Sequence, residues 1–179
     1  VVNVTVVLIC GPAGVGKSST AYEVSRRLAQ ADIAHALIDT DELDRVHPWP
    51  PPGLGTAELS RRNLQALWTN YEALGHTRLI LTGVFVDLSG PLDWIRQAIP
   101  RARIVFVRLM ADASTLQARV HRREIGTGAQ EQWQRTLAQL DEIAGRTSEL
   151  ETLRIDTSGR TVGDIAAEIV EHWHTYWAL

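Results

Sequence analysis

The chain has one cysteine, one methionine and, among 18 basic residues, a single lysine. With Cys10 alone no intramolecular disulfide can form, which excludes a disulfide-stapled scaffold and fits a reducing cytoplasm. Cys10 closes an apolar run, so a buried, inert packing role is expected for it. No apolar run approaches the roughly 20 residues that span a bilayer. The opening stretch, VVNVTVVLIC, lacks a basic region and a small-residue cleavage site, and reads as a strand instead of a signal peptide. Positive charge is not in excess either: 18 basic residues face 21 acidic ones, for a net charge of -3. That argues against a broad nucleic-acid footprint. Neither nucleic acid nor membrane is expected as a partner.

What is present suits one globular domain of 179 residues, with 45% apolar and 22% charged residues. Five β-branched runs, Val4–Cys10, His35–Thr40, Arg78–Val86, Arg103–Met110 and Thr152–Asp156, are nearly continuously apolar, as strands buried on both faces of a parallel sheet are. Helical periodicity fills the intervals: Lys17–Gln30, Ala57–Leu74, Pro91–Ile99 with Ser89 as its cap, Asp112–Arg123, Gln130–Ala144 and Val162–Trp177. The last starts at Thr161 with Asp164 three residues on, a capping-box-like pair. This alternation predicts a three-layer α/β/α fold with a five-stranded parallel sheet. No repeat or linker divides residues 1–179. Trp173 and Trp177, four apart on the last helix, are expected in the core, with a dimer interface as the alternative; monomer and homodimer both remain open.

After the first strand comes GPAGVGKSST, a match to G-x-x-x-x-G-K-[ST] at Gly11, Gly16, Lys17 and Ser18. By chance such a match arises on the order of one per cent of the time in a chain this long, and here it lies between a predicted strand and a predicted helix. Glycines let the loop curl so that the N–H groups of Ala13, Gly14, Val15, Gly16, Lys17, Ser18 and Ser19 converge on phosphates at a helix N-terminus. Lys17, the sole lysine, would reach the β- and γ-phosphates, and the Ser18 hydroxyl would bind Mg²⁺. A guanine-reading N-K-x-D loop cannot exist without a second lysine. The D-x-x-G match at Asp87–Gly90 is explained equally well by a helix cap. LILTGVFVD, with Gly83 in its middle, is a poor version of the acidic strand end of motor ATPases.

Two carboxylates, Asp39 and Asp41, follow the second strand in IDTDELDRVHPWPPP. While the chain stays extended they share one face, past the sheet edge where such folds bind ligands. Asp39 is the candidate for base or metal organiser, alongside Ser18. In the competing reading, Asp41 caps a short helix, ELDRV, and Asp39 is a solvated turn residue. Trp49, held among prolines, is a candidate substrate wall, a cover for the core or part of a partner motif.

From the P-loop and this D-x-D turn, the chain resembles the nucleoside-monophosphate-kinase-like P-loop kinases, among them the shikimate, gluconate and adenylylsulfate kinases and chloramphenicol phosphotransferase. Val46-His47-Pro48 loosely echoes a histidine-proline pair of gluconate kinases. The resemblance implies ATP and Mg²⁺ as cofactors and a small-molecule acceptor. It implies acceptor contacts at Asp41, at Arg61 or Arg62 and at Gly83, although Gly83 before bulky residues is unlike the glycine run of shikimate kinases. Read from the residues themselves, Trp49 and Phe85 are further acceptor candidates, Phe85 suggesting a less polar pocket. QARVHRREIGTG resembles the start of a mobile lid, an insertion over about residues 117–135. Arg119, Arg122 and Arg123 share a helical face there, and Arg119 and Arg123 are expected to close over the triphosphate. Ile125, Gly126, Thr127 and Gly128 would be its hinge, with Arg135 a further cation beyond it. Asp156, Thr157, Ser158 and Gly159 resemble the adenine-side turn. The expected activity is transfer of the ATP γ-phosphate to a hydroxyl of a sugar acid, metabolite or antibiotic. A nucleotide or nucleoside kinase and a non-catalytic ATP-binding regulator are the alternatives.

Overall fold

In the computed structural model, residues 3–123, 128–144 and 149–177 are described, apart from the side chains of Thr56 and Arg123. Strands β1 (Thr5–Cys10), β2 (Ala36–Asp39), β3 (Arg78–Gly83), β4 (Arg103–Met110) and β5 (Glu151–Asp156) form one parallel sheet in the order β2-β3-β1-β4-β5. Helices α1 (Lys17–Gln30), α2 (Thr56–Ala73), α3 (Ser89–Ala98), α4 (Ala113–Arg123), α5 (Gly128–Ala144) and α6 (Val162–His174) connect and cover it. No described helix is long and apolar enough to cross a membrane.

All six residues of β1 are buried, and their alternation divides the core. Val7 and Ile9 pack with Leu28 of α1, Leu116 of α4, Trp133 of α5 and Trp173 of α6. Val6, Leu8 and Cys10 pack with Leu64 and Trp68 of α2 and Ile95 of α3. Each such side chain contributes about 1.5–3 kcal/mol on full burial, which is why a continuously apolar strand belongs at the sheet centre. Trp173 is fully buried, so the core expectation holds for it. Cys10 is buried too, with its Sγ 3.5 Å from the Val107 carbonyl, and burial pushes its thiol up to about 11. It stays protonated and inert at neutral pH.

β3 ends at Gly83, three residues short of the expected Val86. A Cβ on Gly83 would collide with the Phe85 ring and the Thr40 hydroxyl, so the strand stops where Phe85 folds back over it. The freed carbonyls of Phe85 and Val86 then accept hydrogen bonds from the guanidinium of Arg108 in β4. At α3 the carboxylate of Asp87 accepts from the Ser89 N–H at 2.9 Å and from its hydroxyl at 2.8 Å. Ser89 is the first helical residue, not the cap: the N-cap is Leu88, which makes no side-chain cap hydrogen bond, and Asp87 holds Ser89 from just outside the helix. The Thr161–Asp164 pair forms as expected, with Thr161 Oγ1 accepting from the Asp164 N–H at 3.1 Å. α6 stops at His174 and residues 175–177 form a turn.

Because the strands are parallel, Cys10, Asp39, Gly83, Met110 and Asp156 end at one edge of the sheet. The loops that follow them build the site.

Candidate active site

At the end of β1 the chain curls through Gly11–Gly16. A Cβ on Gly11 would meet the Leu109 carbonyl oxygen, and one on Gly14 would sit 2.9 Å from Val120 Cγ2 of α4. Gly14 and Gly16 have φ of 80° and 103°, where side chains are strained. Gly16 is the N-cap of α1, no side chain caps that helix, and no acid sits in its first turn. The positive end of α1 is thus presented to an anion. Lys17 lies across the loop and donates to the Pro12 carbonyl at 3.0 Å.

A cleft of about 390 Å³ opens beside this loop, lined by Ser18, Ser19, Arg119, Arg122, Thr157 and Arg160. Arg119 donates to the Val15 carbonyl (3.1 Å) and to Oγ1 and the carbonyl of Thr157 (2.9 and 3.0 Å). It therefore braces the P-loop against the turn after β5, instead of covering the far side of Lys17. Of Asp156, Thr157, Ser158 and Gly159, only Thr157 lines the cleft. Asp156 shapes the turn by accepting from the Ser158 N–H at 2.9 Å, and Gly159 takes a φ of 67°. The Arg123 side chain and the hinge residues Ile125, Gly126 and Thr127 lie outside the described residues; Gly128 is the first residue of α5.

Across Lys17 from this cleft, β2 runs directly into a 3-10 turn, Thr40–Glu42, whose N-cap is Asp39. The chain does not stay extended, and the capping aspartate is the first of the pair, not Asp41. Asp39 Oδ1 accepts from the Asp41 N–H at 3.1 Å and Oδ2 from the Ser18 hydroxyl at 3.3 Å. That leaves the Asp41 carboxyl facing outward. Asp41 is exposed as a residue, yet the protein around its carboxyl withdraws it partly from water and raises its pKa. The Asp39 carboxylate adds to that shift, and Lys17 opposes it. Asp41 lines a second cleft, of about 450 Å³, with Lys17, Ser18, Asp39, Gln139 and Arg135. Arg135 and Arg45, not Arg119, are the arginines on this side; Arg135 is exposed and paired with Glu131 at 3.4 Å, and Arg45 with Glu42 at 2.8 Å.

Ser18 and Asp39 form a hydroxyl-carboxylate pair of hard oxygens. Among the described residues there is no group of three or more His, Cys, Asp or Glu that could hold a metal. The pair suits a cation that keeps most of its waters and takes phosphate oxygens, which describes Mg²⁺.

On its other side Asp41 borders a hollow of about 250 Å³, with Thr40, Asp44, Ser60, Phe85 and Trp94. A further hollow of about 410 Å³ shares Ala57 and Trp94 with it and adds Glu58, Arg61 and Asp93. Arg61 and Arg62 are both paired with an acid one turn away on their own helix. Both donate to Glu58 (2.7 and 2.6 Å) and hold its carboxyl down to about 2, and Arg61 also reaches Gln65. Arg62 lines neither hollow. Gly83 is buried beneath Phe85 and Thr40, which makes it a packing residue instead of an acceptor contact. Phe85 does line the inner hollow. Trp49 is 50% exposed, so it does not cover the core, and it lines none of these cavities.

Three residues here carry no sequence signal. Gln139 Oε1 accepts from the Ala13 N–H at 2.9 Å, tying α5 to the P-loop. Asp44 accepts from the Ser60 hydroxyl at 3.2 Å. Arg108 is 1% exposed and paired with Glu151 at 3.0 Å. Each acts through a partner distant in sequence, which periodicity does not encode.

No protein-family model matches the chain, and no curated protein matches its sequence. Solved structures do. The tunicamycin resistance protein of Deinococcus radiodurans is 20% identical with a TM-score of 0.64, covering 94% of this chain and 95% of that one. A gluconokinase from Sinorhizobium meliloti 1021 is 18% identical with a TM-score of 0.64, over 99% and 96%. The APS kinase CysC of Mycobacterium tuberculosis, in complex with AMPPNP and APS, is 18% identical with a TM-score of 0.60, over 97% and 99%. The chain has the fold of the P-loop kinases. Within the P-loop kinase fold, Gly11–Ser18 occupies the first strand-to-helix turn and α4–α5 the helical pair beside it. Leu116, Val120 and Trp133 seat that pair in the same half of the core as Val15.

Proposed function

We propose that this chain is an ATP-dependent phosphotransferase that moves the γ-phosphate of MgATP to a hydroxyl of a small molecule in the cytoplasm. One observation carries the reading: Ser18 of the P-loop is joined to Asp39, and Asp41 lines both the cleft before Lys17 and the hollow beyond it.

The P-loop amides and the α1 N-terminus hold the triphosphate, and Lys17 turns from Pro12 towards the β- and γ-phosphates. Ser18 and Asp39 would hold Mg²⁺, which when bound neutralises charge on the phosphate oxygens. Asp41 takes the acceptor's hydroxyl proton. A bond forms between the acceptor oxygen and the γ-phosphorus, the bond from that phosphorus to the β–γ bridging oxygen breaks, and ADP leaves with the electron pair. Both oxygens of Asp39 are engaged, by Ser18 and by the Asp41 N–H, so Asp39 is the metal organiser and Asp41, which lines both cavities, is the proton acceptor. Arg135 faces the same cleft, where developing charge needs a cation. A nucleotide-kinase reading is disfavoured because Arg61 and Arg62, its phosphate grips, are both committed to Glu58.

Acceptor-dependent ADP release with Lys17→Ala as control tests the proposal. The variant should lose about 10²–10³-fold in kcat/KM, the range for removing one electrostatic stabiliser. Unchanged ATP binding and turnover in Lys17→Ala would defeat it.

A further inference from the structure

The two sides of Lys17 carry opposite charge. Around the nucleotide cleft stand Arg119, Arg122 and Arg160, beside the positive end of α1. The paired hollows beyond Asp41 are lined instead by Asp41, Asp44, Glu58 and Asp93, with Arg61 the basic residue among their described lining. That arginine is already spoken for: Glu58 receives two of its hydrogen bonds, at 2.7 and 2.8 Å, and Gln65 a third, at 2.9 Å. Glu58 and Arg61 offset one another, so an anionic acceptor would meet the carboxylates of Asp41, Asp44 and Asp93 and, among the described lining, no unpaired cation.

Shape and lining add to the charge. The hollows share Ala57 and Trp94 and measure about 250 and 410 Å³; the outer one lies within the range of roughly 300–1,000 Å³ that encloses a whole small ligand, and the inner one just below it. Phe85 and Trp94 stand together with ring centroids 6.3 Å apart and line the inner hollow, with Trp94 reaching the outer one. Aromatic surface suits the C–H face of a ring and attracts an ammonium group. The Ser60 and Thr40 hydroxyls donate to Asp44 and to the Thr82 carbonyl, which leaves their oxygens to accept from an acceptor's own hydroxyls.

We infer that the groove takes a cationic amino alcohol, a hydroxylated ring bearing at least one ammonium group, in preference to neutral or anionic acceptors. The inference rests on the phosphotransferase reading and names its substrate class. An ammonium group is held by the carboxylate of Asp44 in the inner hollow or of Asp93 in the outer one, through charge-assisted hydrogen bonds. A hydroxyl on the same ring then faces Asp41 at the mouth of the inner hollow, gives it its proton and takes the γ-phosphoryl group as ADP leaves.

The test is a coupled ADP-release assay on the full chain with MgATP and four acceptors: glucosamine, glucose, glucuronic acid and kanamycin. ATP binding is followed in parallel with a fluorescent nucleotide. The amines should exceed glucose in kcat/KM by about tenfold, as expected for one partly desolvated charge pair, and glucuronic acid should be worst. The preference should shrink as ionic strength rises and should narrow towards equality in Asp44→Asn and Asp93→Asn. Asp93 is exposed, so its variant keeps the test readable if Asp44→Asn fails to fold. Glucuronic acid or glucose ahead of the amines, or an amine preference unmoved by both variants, overturns the inference while acceptor-dependent ADP release still supports the phosphotransferase. ATP binding with no acceptor-dependent ADP release across the set defeats both.

Discussion

Asp39 and Asp41 are separated by one residue, and their surroundings push them towards different work. Both oxygens of Asp39 are engaged, one by the Asp41 N–H and one by Ser18. Asp41 is instead partly withdrawn from water beside another carboxylate, so its folded-state pKa lies above the ordinary aspartate value. The folded protein therefore holds this proton more tightly than the unfolded chain does. Stability falls as pH rises from the unfolded pKa through the raised folded one, and above it the ionised carboxylate is a standing cost. Asp41→Asn removes that cost and removes the base. At pH 7 it should lower kcat by about 10²–10⁴-fold. It should also melt roughly 1–2 °C higher, because solvent exposure limits the relief to well under 1 kcal/mol and a domain this long moves about 2–4 °C per kcal/mol. Asp39→Asn should instead weaken the dependence of the rate on Mg²⁺. Rate profiles against pH and Mg²⁺ concentration, with thermal melts, separate the two; an Asp41→Asn enzyme at near wild-type kcat would remove it from the chemistry.

The elements that were legible from sequence are those whose shape is set by neighbours in the chain. Both ends of α1 fall where expected because Gly16 and the residues after it fix the start locally. The P-loop is legible for the same reason. The acceptor side is not, because distant partners decide it. β3 looks like a strand to Val86 from its β-branched residues, and the fold of Phe85 over Gly83, held by Arg108 on β4, shows why it stops there. Likewise Asp is a good cap at position 39 or 41, and spacing does not say which backbone N–H each carboxylate receives. Arg108 itself is one arginine in an apolar strand, with no pattern naming Glu151, Phe85 or Val86 as its partners. Its loss should be felt at the level of the element. Arg108→Met leaves the carbonyls of Phe85 and Val86 without their donor and Glu151 with Arg154, at 2.8 Å. Removing one partner of a buried ion pair costs about 3–5 kcal/mol. Urea denaturation should show that loss, and surviving protein should have a raised acceptor KM as the Phe85 segment loosens. A variant within about 0.5 kcal/mol of wild type would mean that Arg108 braces nothing.

At the scale of the whole molecule, one sheet edge carries two differently lined cavities: arginines and a helix N-terminus on one side of Lys17, and mostly carboxylates on the other. Composition conceals this, because a net charge of -3 averages the two. The P-loop lies between them and is tied to three separate parts of the structure, through Ser18 to Asp39, through Ala13 to Gln139 and through Val15 to Arg119. A ligand seated there should therefore stabilise the chain as a unit. By mass action a nucleotide present at one hundred times its Kd adds about 2.7 kcal/mol. For a domain of this size that raises Tm by roughly 5–11 °C. Thermal melts with ATP, with and without Mg²⁺, measure it directly. The shift should be full with MgATP and smaller once Mg²⁺ is chelated, because Ser18 and Asp39 then hold no cation against the phosphates. Ser18→Ala should show the smaller shift whether or not Mg²⁺ is present. If MgATP leaves Tm unmoved, the loop holds no nucleotide; if Ser18→Ala keeps the full Mg²⁺ increment, the cation is bound by other residues.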